Sequence, residues 1–132
     1  MNLTHKILII DAHPVYAKKM EAFFRGLTFS EIVIASDAAE GLRMFGNAPA
    51  DLVLLSGMLP DADSPQICRT LRTRAGASLK IIIQVGLMTE QDQVEQFLQD
   101  GADRVLVRKE KDLRPLQQAV EELLFSRQVV SS

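Results

Sequence analysis

Asp11, His13 and Ser56 are the residue types of a hydrolytic triad, and each stands at or just beyond the end of a short apolar run. A serine hydroxyl becomes a useful nucleophile only when a base takes its proton and an acid orients that base. The surroundings argue against that use. A nucleophile elbow places glycines two residues either side of the serine, and here Leu54 and Met58 hold those positions. Asp11 and His13 are also too close in sequence for one side chain to orient the other. A small hydrolase using Ser56 is therefore the weakest functional reading, and the chain is read as a non-enzyme.

Metal and phosphate chemistry meet similar obstacles. Magnesium wants a rigid octahedron of oxygens. The residues that follow the apolar runs offer one carboxylate, Asp11, and at most the Met58 carbonyl as a second ligand. Magnesium binding is expected to be weak or absent, and no cofactor is expected. His5 and His13 are isolated, so zinc is not indicated. There is no glycine-rich phosphate loop of the Gly-x-Gly-x-x-Gly or Gly-Lys-Ser/Thr kind. Arg108 also follows an apolar run, and a guanidinium pairs readily with a carboxylate. Two arrangements are open: an Asp11–Arg108 pair that replaces a metal, or two solvated side chains.

These residues need elements to position them. Five apolar runs punctuate the chain: Ile7–Ile10, Ile32–Ile34, Leu52–Leu55, Ile81–Ile83 and Val105–Val107. They are continuous rather than alternating, as expected of parallel strands covered on both faces. The segments between them carry helical stripes: Met20, Phe23, Phe24 and Leu27; Ala38, Gly41, Leu42 and Phe45; Ile67, Cys68 and Leu71; Val94, Phe97 and Leu98; and Leu113, Leu116, Val120, Leu123 and Leu124. Pro14 suits a first helical turn, and Gly26 and Gly101 suit helix stops. Five βα units predict an α/β fold, a flavodoxin-like doubly wound parallel sheet in the order 2-1-3-4-5. Ligands of such sheets sit at the carboxyl ends of the strands, where the order reverses. That places Asp11, Ala12 and His13, Ser56 to Met58, Val85 and Gly86, and Arg108 and Lys109 around one crevice. Asp51 and Asp103 precede strands and belong to the opposite edge, while Asp61 and Asp63 read as turn and capping residues.

The chain has 132 residues, 47% of them hydrophobic and 24% charged, which suits one domain. The core is expected over about residues 6–126, with a frayed tail over about 127–132. With 15 basic and 17 acidic residues, nothing points to direct nucleic-acid binding. One cysteine, Cys68, permits no internal disulfide. There is no apolar run near the roughly 20 residues needed to span a bilayer, and a cytoplasmic location is expected.

The stretch Asp51-Leu-Val-Leu-Leu-Ser-Gly-Met-Leu-Pro-Asp-Ala-Asp-Ser64 resembles the centre of a response-regulator receiver domain, the CheY-like family, and the likeness extends from about Lys6 to Leu124. The resemblance implies roles position by position. The family's first strand normally ends in two acids; Asp11 keeps the first and Ala12 replaces the second. Ser56 stands where a phosphoacceptor aspartate is expected, and Val85 where a switch threonine or serine is expected. Gly101-Ala-Asp-Arg-Val-Leu-Val-Arg-Lys109 resembles the family's stretch around its lysine. There, Val105 replaces the switch aromatic, Arg108 the lysine and Lys109 the proline. The implied reading is a degenerate member, a pseudo-receiver in two-component or phosphorelay signal transduction, acting as a phosphorylation-independent protein-interaction module. Ser56 would then be a small polar residue bonded to neighbouring backbone. The resemblance implies a partner, or a second copy, on the face of the fourth helix, fifth strand and fifth helix (about Thr89–Ala102, Arg104–Val107 and Lys111–Ser126). Glu95, Arg104, Glu121 and Arg127 are its exposed charges. The alternative is a switch regulated by serine phosphorylation, a ligand or a change of partner.

Overall fold

Each apolar run is a strand. The computed structural model describes residues 5–27, 29, 31–109 and 111–125. The chain alternates β1 (Lys6–Ile10), α1 (Pro14–Gly26), β2 (Glu31–Ala35), α2 (Ala38–Asn47), β3 (Leu52–Ser56), α3 (Ser64–Ala75), β4 (Lys80–Val85), α4 (Gln91–Gln99), β5 (Arg104–Val107) and α5 (Arg114–Val120). A wider π-helical turn, Glu121–Phe125, continues α5. The strands form one parallel sheet in the order β2-β1-β3-β4-β5, the order expected. The tail and Arg127 lie outside the described residues.

The continuous apolar runs follow from burial on both faces. Successive side chains of a strand point to opposite sides. Ile7 and Ile9 of β1, Leu52 and Leu54 of β3, and Ile82 of β4 pack with Tyr16, Met20 and Phe24 of α1 and Leu116 and Val120 of α5. Leu8, Ile10, Val53, Leu55, Ile81 and Ile83 face the other way, against Phe45, Ile67, Cys68, Leu71 and Phe97 of α2, α3 and α4. Every residue of β3, the central strand, is buried. Truncating one of these side chains, such as Leu54→Ala, costs about 2–5 kcal/mol.

The helix ends differ from the sequence pattern in detail. His13 caps α1, its Nδ1 accepting from the Tyr16 backbone N–H at 3.2 Å, with Pro14 in the first turn. Gly26 is the last residue of α1, but the turn that follows does not need a left-handed glycine. Gly101 does: it adopts φ +111° after α4, with the Arg72 side chain packed where a Cβ would stand. The Arg72 guanidinium bonds the Gly101 carbonyl and the Asp103 carboxylate, fastening α3 to the turn before β5. The fourth and fifth helices are shorter than expected, and Leu98 of the α4 stripe is 45% exposed. Among the described residues, no helix is long and apolar enough to cross a membrane.

Candidate functional site

Because β1 lies between β2 and β3, the strand order reverses at it. A crevice of about 440 Å³ opens there, bordered by Asp11, Ala12, His13, Ser56, Met58 and Arg108 among others. The sheet brings these residues together although they come from three separate strand ends.

Asp11 follows β1 and is 5% exposed. Its Oδ1 accepts the His13 backbone N–H at 2.9 Å. Its Oδ2 accepts from Arg108 Nη2 at 2.5 Å. Of the two arrangements open in the sequence, the paired one is present. Arg108 is placed by its own backbone, whose N–H donates to the Val85 carbonyl at 2.8 Å, continuing the β4–β5 ladder by one bond. Its guanidinium carbon lies 4.0 Å from the centroid of the Tyr16 ring. Stacking on a tyrosine face favours a cation, and a planar guanidinium fits that face. Tyr16 is fully buried, and its hydroxyl accepts from Gln84 Nε2 at 2.7 Å. Asp11, Arg108, Tyr16 and Gln84 therefore form one connected chain from the mouth of the crevice into the sheet.

Ser56 ends β3, paired in register with Gln84, and is 5% exposed. Its Oγ accepts the Met58 N–H at 3.1 Å and donates to the Met58 carbonyl at 3.4 Å. Its own carbonyl accepts from Ser64 Oγ at 3.0 Å. The hydroxyl is turned onto its local loop. The three residue types of a triad are near one another but are not linked as one: Asp11 meets the His13 backbone, and the His13 ring caps α1. Ala12, His13 and Lys109 are exposed. Val85 is 5% exposed, and Val105 is half-buried against the core on the α2–α4 side.

Asp61, Asp51 and Asp103 have structural partners. The Asp61 carboxylate accepts from the Ala38 and Ala39 N–H groups at 3.0 and 3.2 Å, across to the start of α2. Those bonds, led by the one from Ala38, hold its carboxyl below the ordinary carboxylate range. Asp51 accepts the Lys6 N–H at the far edge of the sheet, and Asp103 takes Arg72 and the Ile81 N–H. Asp63 occupies the N-cap of α3 without a side-chain capping bond. Burial pushes the Cys68 thiol up to about 11. Among the described residues, no three His, Cys, Asp or Glu side chains converge as a metal-ligand group.

Two residues of the site escaped the sequence reading. Tyr16 is one helical turn before Met20, so it extends the α1 stripe. Gln84 is a polar residue inside the run Ile81-Ile-Ile-Gln-Val85 of a central strand. An amide there needs a buried partner, which was the available signal.

The chain belongs to the response regulator receiver domain family, which it matches over residues 7–121. It is 34% identical over 124 residues to the TorCAD operon transcriptional regulatory protein TorR of Escherichia coli O157:H7, covering 93% of this chain and 51% of that protein. It is 31% identical over 113 residues to the DNA-binding response regulator MtrA of Mycolicibacterium smegmatis, covering 84% of this chain and 48% of that one. The chain thus spans about half the length of these curated relatives. Its fold matches the signal receiver domain of a DNA-binding response regulator from Colwellia psychrerythraea 34H, with a TM-score of 0.83 at 23% identity over 92% of this chain and 99% of that one. It also matches a chain of the CheX-CheY-BeF3-Mg complex from Borrelia burgdorferi, with a TM-score of 0.82 at 21% identity over 92% and 90%.

Proposed function

We propose that this receiver domain of a two-component response regulator is a pseudo-receiver. It transmits through protein contact and does not take a phosphoryl group. The observation that carries this reading is the seat of Arg108. Its guanidinium is stacked on Tyr16 and bonded to Asp11, the only acid at the crevice among the described residues that border it. Both Asp11 oxygens have donors, and the Met58 carbonyl takes the Ser56 hydroxyl. This donor set does not fit magnesium, which would have to displace a cation to reach its one carboxylate. A serine cannot form the acyl phosphate of an aspartate. With valine at positions 85 and 105, a phosphoryl group also lacks a hydroxyl and a ring to move.

In this reading these 132 residues form one receiver-like domain that is not an enzyme, needs no cofactor and works in the cytoplasm. The partner, or a second copy, docks on α4, β5 and α5, where Leu98 and Val107 are 45% and 38% exposed and Arg104 pairs with Glu122 at 3.2 Å. These exposed charges set partner choice more than affinity. These 132 residues contact neither membrane nor nucleic acid directly. In a longer protein of the kind named DNA-binding, such contact belongs to other residues. Regulation by phosphorylation of Ser56 is disfavoured by the burial of its hydroxyl against Met58.

The test is exposure to acetyl phosphate, or beryllofluoride, with magnesium. The expected result is an unchanged mass and no magnesium-dependent NMR shifts at Asp11 or Ser56. A gain of one phosphoryl group on this chain refutes the reading. Partner capture should weaken on Glu95→Lys, a charge reversal on the docking face, and persist in Ser56→Ala.

A further inference from the structure

Across Met58 from the crevice lies a second concavity of about 500 Å³, between the loop after β3, the loop after β4 and α4. Val85 and Phe97, each 5% exposed, form its apolar floor. Met58 and Met88, 71% and 88% exposed, flank it with two flexible thioethers. Such side chains adapt to a ligand and make favourable contacts with aromatic rings. Position 57 keeps the floor open. A Cβ on Gly57 would stand 3.0 Å from Val85 Cγ1 and 3.6 Å from Phe97 Cζ, so any side chain there would intrude on it. The volume and apolar lining are those of a small-molecule site.

The polar groups give the ligand its sign. Asp63 lines the cleft, and its carboxylate makes no capping bond. Among the described residues that line it there is no lysine or arginine. The N-termini of α3 and α4 both open nearby, and each carries about half a positive charge. Each end also carries its own carboxylate, Asp63 at α3 and Glu90 at α4, the latter already in a capping box. A full negative charge outweighs a half positive one, so the cleft prefers a cation to an anion.

We propose that this cleft is a binding site for a small aromatic amine, its ring seated on Val85 and Phe97 between the two methionines and its ammonium directed to Asp63. The site does not depend on the pseudo-receiver reading, since neither Asp11 nor Arg108 lines it. Loss of one reading leaves the other standing.

The test titrates phenethylamine into the 132-residue chain labelled at its methionine methyl groups, with 2-phenylethanol and phenylacetate as neutral and anionic counterparts. Saturable shifts of the Met58 and Met88 methyls are expected, with Kd on the order of 1 mM for so small a ligand. The amine should bind tightest and phenylacetate weakest. Asp63→Asn should weaken the amine about two- to fivefold and leave the alcohol unchanged, as for an exposed ion pair. Thr89→Phe, which puts a ring in the cleft wall, should abolish the shifts. Met88→Ala, at an exposed position that leaves the fold intact, should weaken all binding. The proposal is overturned by an absence of saturable shifts, by phenylacetate binding as well as the amine, or by shifts that survive both cleft variants.

Discussion

Arg108 lies over the face of Tyr16, its guanidinium carbon 4.0 Å from the ring centroid, while the same guanidinium bonds the Asp11 carboxylate. The cation is held from two directions. A lysine can supply the charge but not the flat stacking surface or the fork of donors.

Arg108→Ala therefore leaves Asp11 buried without its counter-ion. Breaking a fully buried pair costs about 3–5 kcal/mol. The Arg108 side chain is 20% exposed, so water recovers part of that loss. A cost of about 2 kcal/mol is expected from urea unfolding. In a double-mutant cycle, Asp11→Ala with Arg108→Ala should show a coupling above about 1 kcal/mol. Strict additivity would mean that the two residues act independently.

Rebuilding the acid cluster should bring back the metal before it brings back any signal. Ala12→Asp with Ser56→Asp adds two carboxylates beside Asp11, and calorimetry should then detect magnesium. Adding Arg108→Lys removes the guanidinium bond to Asp11 Oδ2 and should tighten that binding further, by about tenfold for about 1.4 kcal/mol of released competition. With Val85 and Val105 unchanged, metal and beryllofluoride should leave the α4–β5–α5 face unshifted in NMR spectra. Movement of that face in the triple variant counts against the assignment of the valines.

Tyr16→Phe removes the acceptor of the Gln84 amide, a buried bond of 2.7 Å. An unmade buried bond costs about 1–3 kcal/mol. Replacing both partners, Tyr16→Phe with Gln84→Leu, should cost less than the sum of the two single changes, because no amide then remains to be satisfied. Chemical denaturation of the four proteins measures it. A double variant at least as damaged as the sum would show that the amide matters for something other than this bond.

Cys68 gives the chain an alkaline limit. Its thiol ordinarily ionises near 9.0, and burial pushes it up to about 11 in the fold. The unfolded chain loses that proton first, so this contribution is full below pH 9 and is lost as pH climbs from about 9 toward 11. Cys68→Ser should flatten that part of the stability–pH curve. At pH 8, a thiol reagent should modify the native protein only at the rate of opening, and fast labelling without denaturant would contradict the burial.

The sheet was legible because its signal is repeated: five β-branched and leucine-rich runs, each spaced by a helical stripe, leave few other topologies. Asp11, Ser56 and Arg108 were legible for a simpler reason, since residues that follow strands meet at one edge of a parallel sheet. Tyr16 and Gln84 were not, because their meeting depends on two side chains 68 residues apart sharing one side of the sheet. Asp61 was half legible. It is a capping residue, but the helix it caps begins 23 residues earlier, and no local pattern records that. The identity of Arg108's second contact was hidden likewise, for spacing along the chain says nothing of which ring lies beneath a guanidinium.

The two ends of the Asp11–Arg108 bond are separated by 97 positions. During synthesis the acid leaves the ribosome early, and its counter-ion follows only after four further strands. Closing so long a span comes late in folding, when the intervening strands have already docked. A nascent chain stalled before residue 108 thus lacks both the counter-ion of Asp11 and the helix α5, whose Leu116 and Val120 cover one side of the sheet. Charge neutralisation at the crevice and closure of that core wait for the same final segment.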